Sequence, residues 1–202
     1  STLFPYTTLF RSAASLREGI PEYFEVRFGA DVDKEAVSGT TLVDDKNSSY
    51  IHRLMTKVDP STDYALVVCQ LSTNDASKGK TLGEISSSRN MEDFDTKTIV
   101  GAIEYIIAYV QKTWNCPVVF YTNAKFDSSS YGIMVQQMSE IQEKWGIGVI
   151  DLWSDASFND ISEEERTLYM YDSIHPTKAG YRQWWCPEIE RQLLLYMEHD
   201  QK

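Results

Sequence analysis

Basic residues are in short supply in this chain: nineteen Lys and Arg stand against thirty Asp and Glu, a formal net charge of −11. That imbalance repels phosphate backbones and anionic lipid headgroups, and no local basic patch offsets it, so nucleic acid and membrane surfaces are not expected partners. Neutral or cationic small molecules fit the charge better. Cysteine is scarcer still. Cys69, Cys116 and Cys186 are odd in number, far apart and without metal-ligand spacing, which argues against a disulfide framework and predicts reduced, buried thiols. No cofactor is implied. No run approaches the roughly eighteen apolar residues of a membrane helix, and the first residues lack the basic-then-apolar layout of a signal peptide. A cytoplasmic setting is the expectation, with secretion left open should the natural N-terminus lie upstream.

What the chain does have is ordinary globular usage, 42% hydrophobic and 24% charged over 202 residues, enough for one well-buried core and short for two. The opening twelve residues, STLFPYTTLFRS, repeat Thr-Leu-Phe and show no helical or strand period. They look foreign to the rest of the chain and are expected to be a non-native or irregular segment, such as a scar left by cloning or by a translated sequencing adaptor. Residues 13 to 202 are expected to form a single domain.

From Ala13 the pattern turns regular. A helix is expected with Pro21 in its first turn and Gly29 as its stop, then a short strand from Asp33 to Val37 and a helix from Ser49 to Val58. Tyr64 to Leu71 is the near-continuous apolar run of a central strand buried on both faces. Ile99, Ala102, Ile103, Ile106, Ile107 and Val110 keep helical spacing, and Pro117 to Tyr121 comes next as another buried strand. A helix from Ser130 to Trp145, a strand from Gly148 to Trp153 and a last helix from Lys178 to Met197 complete the chain. Strands alternating with helices imply an α/β fold with a parallel sheet covered on both faces. The polar stretch from Ala76 to Phe94 is expected to be the longest loop and part of a substrate rim.

In such folds the loops after the strands carry the chemistry. Three are polar: Ser38-Gly39-Thr40-Thr41, Ser72-Thr73-Asn74-Asp75 and Asp172-Ser173-Ile174-His175-Pro176. Asp172 and His175 suit an orienting carboxylate and a general base, because a carboxylate bound to one imidazole nitrogen leaves the other free to take a proton. Pro176 holds His175 extended at the mouth of the next helix. The Asn74 amide and the Gly39 N–H suit donors to a developing oxyanion. A neutral His175 is needed for such a base, so activity is expected to fall below about pH 6 to 7. His52 and His199 have no polar partner at useful spacing, and Asp44-Asp45 reads as a solvated turn rather than a metal-dependent phosphatase's carboxylate cluster.

These loops, in this order, resemble the SGNH, or GDSL-type, hydrolases: Gly39 in AVSGTTL, Asn74 in STND, and Asp172 and His175 in DSIHPTKAGY. The resemblance covers roughly Ala13 to Met197. It implies a flavodoxin-like three-layer α/β/α sandwich with a central parallel sheet, and a serine nucleophile activated by His175 with Asp172 behind it. It also implies an oxyanion hole from Gly39, Asn74 and the nucleophile's own N–H. The substrate it implies is a small or carbohydrate-borne acyl ester, bound without a cofactor. Two departures stand out. Ser72 replaces the usual Gly of the third block, and the Gly-Asp-Ser block due ahead of the first helix is missing, with STLFPYTTLFRS in its place. Counting back from Ser12 as the Gly that often closes that block puts Thr8 at the serine's position, so Thr8 and Ser12 are the only weak candidates there and a chain truncated at its nucleophile is expected. A non-catalytic small-molecule or carbohydrate-binding module on the same fold is the alternative.

Overall fold

Five parallel strands form one sheet in the computed structural model, which describes Pro5–Leu9 and residues 18 to 200, with side chains from 18 to 198. The strands are β1 (Pro5–Leu9), β2 (Asp31–Lys34), β3 (Leu66–Gln70), β4 (Val118–Tyr121) and β5 (Gly148–Ile150), in the order β2-β1-β3-β4-β5. The helices are α1 (Ile20–Phe28), α2 (Tyr50–Lys57), α3 (Thr73–Ser77), α4 (Ile99–Trp114), α5 (Ser129–Trp145), α6 (Ala156–Asn159), α7 (Glu163–Tyr169), α8 (Lys178–Gly180) and α9 (Cys186–Asp200).

Alternation along the strands divides the core in two. Leu66 and Val68 of β3 and Val119 and Tyr121 of β4 join Ile20 and Phe24 of α1 and Ile189 and Leu193 of α9. The intervening Val67, Cys69, Val118 and Phe120 join Leu54 of α2, Ile103 and Ile106 of α4, and Met138 and Ile141 of α5. A strand whose successive side chains point to opposite faces is fully apolar only when both faces are covered, and β3 is buried at every position. The result is the expected three-layer α/β/α sandwich. The three cysteines are free and buried, and among the described residues no helix is long and apolar enough to cross a membrane.

The largest difference from expectation lies at the start of the chain. Inside the segment that shows no strand period, Pro5–Leu9 is a strand with partners on both sides: Tyr6 stands opposite Val32 and Leu66, and Thr8 opposite Lys34 and Val68. Pairing in a sheet uses backbone groups common to every residue except proline's N–H, so a Thr-rich pentapeptide qualifies without the apolar signature. Strand β2 ends at Lys34 rather than Val37, at its last pairing with β1, opposite Thr8. Strand β5 stops at Ile150 because Asp151 turns the chain, accepting from Thr122 Oγ1 at 3.1 Å and from the Ser154 amide at 3.0 Å.

The last helix is not uniform. After α8, residues Tyr181–Trp185 form a π-turn before α9 begins. Pro187 supplies no N–H and its ring crowds the carbonyl four residues back, which the wider π-turn relieves.

Candidate active site

A sheet of order 2-1-3-4-5 has its crevice where the crossovers diverge, at the carboxyl ends of β1 and β3. Strand β1 ends at Leu9, level with Cys69 of β3, so the two strands reach that end of the sheet together.

The Asp172-x-x-His175 turn is built by its own carboxylate. Asp172 Oδ1 accepts from the Ile174 amide at 2.8 Å and the His175 amide at 2.7 Å, while His175 Nδ1 lies 2.9 and 2.7 Å from the two carboxylate oxygens. Burial raises the Asp172 carboxyl, but the hydrogen bonds from the His175 ring and the two amides outweigh it and hold the group below the ordinary aspartate range. An ionised Asp172 fixes the proton on Nδ1 and leaves Nε2 as an acceptor. Nε2 is buried and has no hydrogen-bond partner among the described residues.

The turn is clamped at its base. Met170 and Pro176 form an antiparallel bridge, with the Tyr171 amide donating to His175 O at 2.7 Å and the Thr177 amide to Tyr169 O at 2.8 Å. Thr177 then caps α8 through the Gly180 amide at 3.0 Å. Gly180 is required by contact: a Cβ there would lie 2.0 Å from Tyr169 O. The HPTKAGY tail thus sets the distance between α7 and α8, and with it the position of His175.

The other two loops are stitched together around Thr40 O. That carbonyl accepts from Asn74 Nδ2 at 2.8 Å and from Ser72 Oγ at 3.2 Å. An amide nitrogen has two hydrogens, so the bond to Thr40 O uses only one of Asn74's. Gly39 has φ +79, a conformation side chains resist, and its N–H donates to no described residue. Ser72, at φ −70, needs no glycine; its hydroxyl instead accepts from the Asn74 amide and caps α3. Asp75, fully buried, accepts from the Leu42 amide at 2.8 Å and the Val43 amide at 3.1 Å. Sequence reasoning passed over it; a carboxylate directly after Asn74 at a helix start was the available signal.

The two halves meet at a small cleft lined by Gln70, Thr73, Asn123, His175 and Tyr181. Neither Asn74 nor Gly39 lines it; Asn74 directly follows Thr73, which does. Sequence reasoning also missed Gln70 and Asn123. Asn123 Nδ2 donates to Ile174 O at 3.2 Å, tying the end of β4 to the His175 turn, and the Asn123 amide donates to the buried Tyr131 hydroxyl. Thr8 lies within β1, not beyond it, and Ser12 as a whole and the side chain of His199 lie outside the described residues. The expected rim, residues 76 to 94, does not line this cleft: Lys144, paired with the fully buried Glu104, takes Ser86 O and Ser88 O at 2.6 Å and ties the loop back onto α4 and α5.

The arrangement can be compared with known proteins. The family model of the GDSL-like lipase/acylhydrolases matches residues 7–183. No curated protein matches the chain in sequence. Among solved structures, a Lactobacillus plantarum protein is 17% identical with a TM-score of 0.72, covering 98% of this chain and 99% of its own. A candidate GDSL-like lipase from Bacteroides ovatus is 17% identical with a TM-score of 0.68, over 98% of this chain and all of the other. A family two carbohydrate esterase from Clostridium thermocellum, in complex with cellohexaose, is 14% identical with a TM-score of 0.64, over 96% of this chain and 66% of its own. The chain belongs to the GDSL-like lipase/acylhydrolase family.

Proposed function

We propose that this fold is the body of a serine ester hydrolase that acts on small or carbohydrate-borne acyl esters, with position 12 as the seat of the nucleophile. The observation that carries the reading is His175 Nε2: its ring is locked by Asp172, and the free nitrogen is buried beside the crevice. Position 12 comes three residues after Leu9, a reach of at most about 11 Å from the end of β1. Thr8 is a poorer candidate because it is a strand residue paired on both sides.

In this reading His175 takes the serine proton as the serine oxygen attacks the ester carbonyl, and returns it to the departing alcohol. The Asn74 amide and the Gly39 N–H receive the oxyanion, each such donor lowering the barrier by about 3 kcal/mol. The sugar-bound carbohydrate esterase among the structural neighbours and the acidic charge of this chain support a neutral substrate.

With Ser12 as the nucleophile, Phe10 and Arg11 take the places that Gly and Asp hold in a Gly-Asp-Ser block. That departure favours a second reading, a binding module that keeps the cleft without efficient catalysis. One comparison decides. The chain as it stands, a Phe10→Gly plus Arg11→Asp version, and the latter with His175→Ala are assayed on p-nitrophenyl acetate. Turnover by the double variant alone is the expected result; three folded but inactive chains would leave only the binding reading.

A further inference from the structure

Two residues that each carry a buried acceptor line one very small space. The cleft at His175 encloses about 10 Å³, the room of a single water. One acceptor is His175 Nε2. The other is Gln70 Oε1, the amide oxygen of the last residue of β3, which is also buried without a partner among the described residues; Gln70 as a whole is only 7% exposed.

The orientation of the Gln70 amide is set by its neighbour. Asn123 lies within donor distance of the Ala124 and Ile174 carbonyls, 3.2 Å each, so its NH₂ must face them and its Oδ1 must face Gln70. Gln70 therefore presents Nε2 to Asn123 at 3.5 Å and keeps Oε1 for the cleft. A buried amide oxygen left unpaired costs about 1 to 3 kcal/mol, and a water has the two hydrogens that both acceptors require.

We propose that Gln70 positions the hydrolytic water, a role that rests on the ester-hydrolase reading above. The water donates one hydrogen to His175 Nε2 and the other to Gln70 Oε1, which turns its lone pairs away from both. In deacylation its oxygen bonds to the acyl carbonyl carbon as its proton passes to His175 Nε2. The tetrahedral adduct then collapses, the carbon–serine oxygen bond breaks, and His175 returns that proton to the serine oxygen. The products are the carboxylic acid and the free serine; Gln70 exchanges no proton. Attack by the first serine does not use this water, so Gln70 acts on the second half of the cycle.

The test has two arms. A high-resolution crystal structure of the chain as it stands should show an ordered water within hydrogen-bond distance of both Gln70 Oε1 and His175 Nε2; an ordered cleft without one overturns the proposal. In the Phe10→Gly plus Arg11→Asp background, Gln70→Leu should leave the initial burst of p-nitrophenolate intact and slow the steady state about tenfold or more. Gln70→Glu, which keeps an acceptor, should recover most of that loss. Equal slowing of burst and steady state would mean that Gln70 merely supports Asn123, and would overturn the assignment. Absence of any turnover in the parent background sinks the ester-hydrolase reading instead, while the crystallographic arm still decides whether the water is there.

Discussion

Asp75 should matter out of proportion to its distance from the chemistry. It is fully buried, and the two amides it holds, of Leu42 and Val43, belong to buried residues that water cannot reach. Asp75→Ala strands both N–H groups at about 1 to 3 kcal/mol each. Part of that is returned, because burial raises the Asp75 carboxyl above the ordinary range even against those two amides, so the ion is costly to keep. A net loss of about 3 kcal/mol is expected, or about 6 to 12 °C in Tm for a chain of this size. Asp75→Asn keeps one acceptor and should lose about half as much. The pH dependence is distinctive. A carboxyl whose folded pKa is raised binds more protons folded than unfolded, so the margin of the parent over Asp75→Asn should shrink as pH rises from the unfolded value of about 3.9 through the raised folded one. Thermal melts of the three chains across that range measure it. An Asp75→Ala midpoint within about 2 °C of the parent, or a margin that grows with pH, would refute the reasoning.

Gly180→Ala should destabilise by about 2 to 3 kcal/mol by overpacking, since its Cβ would meet the Tyr169 carbonyl, which is backbone and cannot swing aside; urea unfolding indistinguishable from the parent would contradict the clamp between α7 and α8. Asp172 has a lowered folded pKa, so its contribution is present above the unfolded value and lost as pH falls through the folded one. The difference between the parent and Asp172→Asn in urea midpoint should therefore vanish only below the ordinary carboxylate range, and a difference already gone at pH 5 would count against an ionised, hydrogen-bonded Asp172.

Much of the fold can be read in the residues because burial leaves a pattern. The apolar run around Leu66 to Gln70 and the helical spacing from Ile99 to Val110 each state their own environment, and Ser49, Gly29 and Gly146 mark helix ends where the structure has them. Strand β1 escapes such reading because Pro5–Leu9 is held by backbone pairing, which has no side-chain signature. Asp172 and His175 are legible because three residues of local chain build their contact. Gln70 and Asn123 are not, since their meeting depends on β3 lying beside β4, 53 residues apart in sequence; one polar residue in an apolar strand was the clue. The loop from 76 to 94 misleads because its polarity suggests solvent, whereas Glu104 and Lys144 anchor it from helices further along the chain.

The position of β1 carries one further consequence. Among the described residues it is the one strand that pairs with β2, and it is the bridge from β2 to the other three strands. Take it away and the sheet does not lose an edge; it parts in the middle, leaving β2 and β3 each with an unsatisfied ladder of N–H and C=O groups facing a strand-wide slot. Such a slot recognises backbone rather than sequence, as in donor-strand complementation.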